Sequence, residues 1–584
     1  MNSYYRFFWL IAAGWLSMVQ GQAQTQEPAT DTDIMKQEVE VVQEYNPTVS
    51  DAFKINEMPK QEETPVETPV FTYELAGKAI MGAPEVVPLI AAKIAKPPME
   101  ELFPSYVRGY FGNYTLLGGM LNYNLVQNTK YALALNLAHE SSLGKLKLLN
   151  GEKVDAPYHQ TDGGLAFRHF FKDKTLRVNM DFDNLAYEYY GYSDLLSDEN
   201  YATAMGDTLT GAELTPNARQ HQTNFGFSLG LQNLVSKHRS TEYDLNLGYQ
   251  TFGNEWGIKE NKVMLNGDFE FPVGDFALSL AAGADHASTN FKADDIPTGF
   301  MATAREQTLV YFNPSVVRRG DQLDFKMGLR FGAGFDDLED DFYLSPDLQL
   351  SLTVVEEVIA LEGGITGEIK PSYYSAVMAE NPFVSPDVNV KTAFHGVKFY
   401  LGTKGNFSRA TSFAARLDYS AFTNEHFFVN RTYASADSTV ASNLFDVSYD
   451  DGNMLKVSGE LRFNFEPDFN LLLQAAYYSW QLDSLDEAWY KPAMTLGVRG
   501  NYQINEELQV YASFNVLGQR KASVNNSVQT LDAVPDINLG ADYRYNKRWH
   551  FFTEFRNVIS ADYDRWYGYP SQGINVRAGA GYSF

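Results

Sequence analysis

The chain has 584 residues and a formal charge of -27, with 73 acidic against 46 basic side chains, and that charge would repel a nucleic-acid partner. Hydrophobic content is 44% and mean hydropathy -0.30; beyond the N-terminus no apolar run approaches the roughly 18 residues a spanning helix requires, which excludes a helical membrane protein. Cysteine is absent, so a lipoprotein, a disulfide scaffold and thiol chemistry are excluded too.

Residues 1–23 carry one cation at Arg6, an apolar core from Phe7 to Val19 and small residues at Gly21 and Ala23, the pattern of a secretory signal cleaved after Ala23. From 24 to 104 the composition turns to proline and an excess of acids over lysines. Such a segment builds no core of its own and is expected to be an extended tether. Within it Glu38, Val39, Glu40, Val41, Val42, Tyr45, Asn46 and Pro47 spell a short strand stopped by a proline, while the plainer reading is a tether whose valines carry no message. This stretch resembles the energy-coupling box of TonB-dependent receptors. The resemblance implies that a TonB-like or other periplasmic protein recognises it by strand addition.

From Ser105-Tyr106-Val107-Arg108-Gly109-Tyr110 onward, apolar and polar side chains alternate. Leu176, Val178, Met180 and Phe182 interleave with Arg177, Asn179, Asp181 and Asp183; Leu323, Phe325, Met327, Leu329 and Phe331 with Asp324, Lys326, Gly328 and Arg330; Leu455, Val457, Leu461 and Phe463 with Lys456, Ser458, Glu460 and Arg462. A soluble sheet with this pattern needs a second layer over its apolar face, and no helix-period segment is long enough to supply one. Outer-membrane lipid is the cover that remains. The aromatic content of 14% suits strands with aromatic girdles.

Loop lengths supply the topology. Short turns fall at 127–130, 172–174, 235–240, 272–275, 320–322, 356–357, 408–411, 466–469, 505–507 and 546–548, and longer connections at 142–159, 191–218, 287–305, 370–391, 431–442 and 559–572. Short periplasmic turns alternating with long outer loops predict an all-β, transmembrane antiparallel barrel over 105–584 of about 22 strands, or 20 if one hairpin is miscounted. The last stretch, Gly573 to Phe584, puts Ile574, Val576, Ala578, Ala580, Tyr582 and Phe584 outward and Asn575, Arg577, Gly579, Gly581 and Ser583 inward. It resembles the closing strand of bacterial outer-membrane barrels, which implies that the barrel-assembly machinery reads Tyr582 and Phe584.

Over the barrel pattern of about Ser105 to Phe584 and the box-like segment, the chain resembles the TonB-dependent-receptor-like outer-membrane proteins of the Bacteroidota, on Val41–Asn56 (VVQEYNPTVSDAFKIN) and on the entry strand Tyr106–Tyr114 (YVRGYFGNY). That implies an outer-membrane transport channel for an unidentified solute, gated or occluded by its N-terminal segment. The segment is about half the length of the plug usual in such receptors and lacks its succession of strands and helices, so no plug domain is expected. The other reading is a structural or assembly anchor that recruits a periplasmic envelope protein through residues 38–56.

Candidate sites follow from the pattern. Inward charges at Arg177, Asp181, Asp183, Lys326, Arg330, Lys398, Lys404, Arg416, Asp418, Lys456, Glu460, Arg462, Arg499, Arg544 and Arg577 form either a selective wall or the cross-paired lining of a wet lumen. Phe335–Phe342 carries five carboxylates and reads as a solvated tip more than a calcium site. Asp450-Asp451-Gly452-Asn453 reads as a bulge or a bend in a long strand more than a calcium-motif fragment, and Tyr187 to Tyr192 as the upper girdle more than a run that stacks on sugars. The histidines lack HxxxH or HExxH spacing, and neither a GxSxG elbow nor a phosphate loop is present. No catalytic residue, metal or cofactor is expected.

Overall fold

The computed structural model describes residues 105–584 apart from 149–150, 152, 192–218, 234–240, 293–300, 338–339, 435–438, 466–467, 526 and 562. Glu38–Pro47, the signal, the tether and the turn 235–240 lie outside the described residues.

Twenty-two antiparallel strands form one sheet that closes on itself where Ser105–Gly112 pairs with Asn575–Ser583. In the strand Leu323–Asp336, Met327, Leu329 and Phe331 are exposed while Lys326 and Arg330 engage partners on the inner face. The same holds around the ring, with Leu265, Leu278, Leu350, Leu401 and Val457 among the exposed apolar side chains. A period of two forces this division, and in a closed sheet the apolar set has only the outside to face. Water on that outer face would be costly; bilayer hydrocarbon removes the cost, and the backbone, paired strand to strand around the closed ring, needs no partner from it.

Beside the short turns the outer face becomes aromatic. Tyr131, Phe171, Phe276, Phe407, Phe465, Tyr502, Tyr545, Trp549 and Phe584 are all exposed there, a girdle at the turn end of the barrel. One expectation about the other end needs correction. The connection 431–442 is mostly strand, because Thr411–Ala434 and Thr439–Phe465 run on as a long hairpin. Some outer connections are short, such as 113–115 and 255–257. One short helix is present, Tyr374–Glu380 (α1), inside the connection 371–392. The bulge lies opposite Gly452: the register slips between Phe422 and Glu425, and the Asp450 carboxylate accepts the N–H groups of Asp451, Ser484 and Leu485.

The seam carries its own network. Tyr582 and Phe584 stack at 6.0 Å, Tyr123 joins Phe584 at 5.9 Å and Trp549 meets Tyr582 at 4.7 Å. The Phe584 N–H donates to the Ser105 carbonyl at 3.0 Å, and the Phe584 main-chain oxygen accepts from the Ser105 N–H at 3.1 Å. Phe584→Ala is therefore expected to lower the membrane-inserted, heat-modifiable fraction several-fold. Unchanged insertion in a quantitative outer-membrane blot would contradict this.

Candidate functional site

The inner wall is densely cross-paired. Arg177 reaches Asp244 at 2.5 Å, Asn246 at 3.1 Å and Gln232 at 3.3 Å. Lys326 pairs with the buried Asp347 at 2.7 Å, and that carboxylate also accepts from Asn313 and Gln349. Arg330 donates to the Gly367 carbonyl, Lys398 to Glu368 at 2.6 Å, Arg462 to Glu460 at 3.0 Å and Arg577 to Glu140 at 3.0 Å. Lys404 and Arg416 share Glu362, Arg416 also bonds Asp418, and Lys456 lies 5.6 Å from the Tyr478 ring. Asp181 and Arg499 make no ion pair among the described residues. Asp336 is held by Arg305, which also donates to the Val390 carbonyl, so this tip of the acidic run serves as a clamp on the connection 371–392. Among the described residues no cluster suits a metal ion.

Above the wall the outer connections fold inward and pack into one apolar core. Tyr187, Tyr189, Phe252, Trp256, Val377, Met378, Phe383, Val384, Phe427, Phe428, Phe445, Trp489, Tyr490, Trp566 and Tyr569 are all buried in it. These residues come from strand ends and connections at 187–189, 252–256, 377–384, 427–445, 489–490 and 566–569, and together they form a lid at the outer mouth. Tyr187 and Tyr189 correct the girdle expectation: they turn inward, Tyr187 donating to the Pro382 carbonyl at 2.5 Å and Tyr189 accepting from the Trp256 indole at 3.1 Å. Phe383 stacks on Tyr569 at 3.6 Å, and Trp566 meets Phe428, Tyr490 and Phe445 at 5.1, 5.0 and 5.6 Å. Offset and edge contacts of this kind add to the area buried.

Polar clasps from the wall fix the lid. Helix α1 has no side-chain cap of its own at Tyr373. The buried Glu260 on the strand Ile258–Val273 takes that role from below, accepting the Tyr374 N–H at 2.8 Å and the Ser375 hydroxyl at 2.5 Å. A carboxylate at the positive end of a helix satisfies N–H groups that otherwise stay open. Asp387 grips Arg431, and His395 bonds Ser420 at 2.6 Å and Glu425 at 2.9 Å.

At the far end of α1, Glu380 accepts from His426 at 2.7 Å and lies 3.5 Å from Lys491. Burial alone would raise this carboxyl; the His426 bond and the Lys491 and His426 charges outweigh it and bring it from 4.5 down to about 2. A depressed carboxylate stabilises the folded lid above its unfolded value, and the contribution fades as pH falls through the folded one. The lid is therefore expected to stay shut from pH 7 to about 4.5 and to loosen between about 4.5 and 2. Planar-bilayer conductance against pH checks this: Glu380→Gln should give a higher conductance at pH 7 and a flatter profile, and a wild-type profile in the variant contradicts the clasp.

No protein-family profile matches the chain, and no curated protein matches it in sequence. Solved structures do match in shape. The siderophore receptor PirA from Acinetobacter baumannii superposes with a TM-score of 0.61 at 12% identity, over 82% of this chain and 80% of that one. The FrpB iron transporter from Neisseria meningitidis (F3-3 variant) gives 0.61 at 10% identity, over 83% and 82%. The copper transporter OprC gives 0.60 at 12% identity, over 83% and 81%. At this identity the likeness is one of fold, a closed β-barrel shared with these receptors and transporters. A closed barrel with an apolar belt and an aromatic girdle belongs in the bacterial outer membrane. The strands of the barrel followed from alternation. The lid did not, because an aromatic at a strand end reads alike whether it faces lipid or folds inward.

Proposed function

We propose that the protein is an outer-membrane transport channel of the TonB-dependent-receptor-like kind, shut on its outer side by its own connections. The observation that carries the reading is a water-facing, charged inner wall beneath a lid held by discrete clasps, an arrangement with an obvious closed state and a definable open one. In this reading the segment 24–104 acts from the periplasmic side: Glu38–Pro47 couples to a TonB-like partner, or the acidic segment gates the lumen. Solute flux into proteoliposomes, compared between the full chain and a chain lacking residues 24–60, tests it. A change in flux supports gating.

The same lid favours a second reading, because a mouth sealed by an aromatic core also suits a barrel that carries nothing. In that case the protein is an anchor whose residues 38–56 recruit an envelope protein. Unchanged flux with loss of a crosslinked periplasmic partner on the same deletion would favour the anchor.

A further inference from the structure

We infer that the inner wall beside the seam, under the connection 557–574, is a binding site for a small hydroxylated polyanion. A cavity of about 710 Å³ lies there between the inner faces of the last strands and the connection that folds over them. That size falls in the range of about 300–1,000 Å³ typical of small-molecule sites. Four guanidiniums line it: Arg499 in the strand Met494–Gln503, Arg556 at the end of Trp549–Arg556, Arg565 in the connection itself, and Arg577 in the closing strand, which is already paired with Glu140. Arg499 and Arg565 have no ion pair among the described residues, and Arg556 has only a 3.4 Å contact with Glu554.

The carboxylates at hand are already committed. Glu140 accepts from Tyr110 and Tyr158 at 2.6 Å each and from Arg577 at 3.0 Å. Glu554 accepts from Arg108 at 2.8 Å and Tyr511 at 3.0 Å, and Asp536 from Asn538 at 2.8 Å. The lining thus carries four guanidiniums against three carboxylates, of which Glu140 and Glu554 are tied to Arg577 and Arg108 and Asp536 is bonded to an amide, so guanidiniums are in excess. A second observation points the same way: Asn575 is only 6% exposed, yet its Oδ1 has no hydrogen-bond partner, and neither has the Ser571 Oγ beside it. Buried acceptors are rarely left open without a reason. A ligand with two anionic groups for the guanidinium forks and hydroxyls for Asn575 and Ser571 completes both sets at once.

As the solute class of the proposed channel, the assignment rests on the transport reading; the binding itself does not. Calorimetric titration of the full chain in detergent with glucarate, a dianion rich in hydroxyls, should give saturable binding that weakens with salt, while glucose gives none. Arg499→Gln/Arg565→Gln should weaken glucarate at least ten-fold with heat-modifiability unchanged. Absence of binding, equal binding of glucose, or an unaltered affinity in the double variant overturns the site. A peptide of residues 27–57 that displaces glucarate more tightly than glucarate itself binds would give the site to the chain's own carboxylates and overturn the solute assignment. Glucarate binding without flux keeps the site and removes only the transport reading.

Discussion

Phe445→Ala should open the barrel. Phe445 is fully buried in the lid core, with the rings of Tyr490, Trp566 and Tyr569 at 5.6, 5.6 and 6.1 Å. Its backbone, not its ring, holds the chain next to it: the Phe445 amide donates to the Phe383 carbonyl at 3.0 Å, and its carbonyl accepts from Ser385 at 2.8 Å. Truncation therefore removes packing and leaves the pairing of Thr439–Phe465 in place. Emptying such a site costs about 3–5 kcal/mol, and even ~3 kcal/mol on a docking equilibrium raises the undocked population by about two orders of magnitude.

Glu260→Ala should act on the same equilibrium from the wall side, since it strips the acceptor from the first N–H groups of α1 and leaves them buried. Single-channel recording measures both variants. Long open dwells, together with new protease cleavage within 371–392, are expected, while Met301→Ser, at a side chain 87% exposed, should record as wild type. If Phe445→Ala destabilises the protein to heat yet stays as closed as wild type, the lid is not the barrier.

What was legible in the chain, and what was not, follows from the range of the physics. Lipid outside and water inside impose a period of two on every strand, so Lys326 and Arg330 could be placed inward from their neighbours alone. Their partners could not. Asp347 meets Lys326 from the strand Asp341–Val355, and Asp244 meets Arg177 across an intervening strand, so each pair depends on register and stagger that one strand does not encode. The lid was less legible still. Tyr187 and Tyr189 look in sequence like girdle residues; what turns them inward is Phe383, nearly two hundred positions away and packed against both rings. Glu260 is the clearest case. It sits on an alternating strand like any lumen carboxylate, and only the arrival of α1 above it turns it into a helix cap.

Glu554→Ala should cost the barrel the most heat resistance of any single inner-wall change. The closing seam relies on this carboxylate: Arg108 on the first strand donates to it at 2.8 Å, Arg577 on the last approaches at 3.5 Å, and Tyr511 adds a bond at 3.0 Å. Arg577 is 6% exposed in its side chain, and its other partner is Glu140, so removal of Glu554 leaves Arg108 without a carboxylate over the Phe552 ring and Arg577 with one where it had two. Stranding half-buried cations in this way costs about 3 kcal/mol. Strands elsewhere in the ring are fastened on both sides by pairing within hairpins, whereas Ser105–Gly112 and Asn575–Ser583 meet only by closure, so the loss falls where the sheet has least redundancy. The midpoint of the shift from folded to unfolded mobility on heated gels should drop clearly in Glu554→Ala and by less in Glu554→Gln, which keeps an acceptor for Arg108. Lys145→Ala breaks a pair about 60% exposed on both sides and should change it by no more than about 0.5 kcal/mol equivalent. Equal midpoints for Glu554→Ala and Lys145→Ala would mean that backbone pairing alone holds the barrel shut.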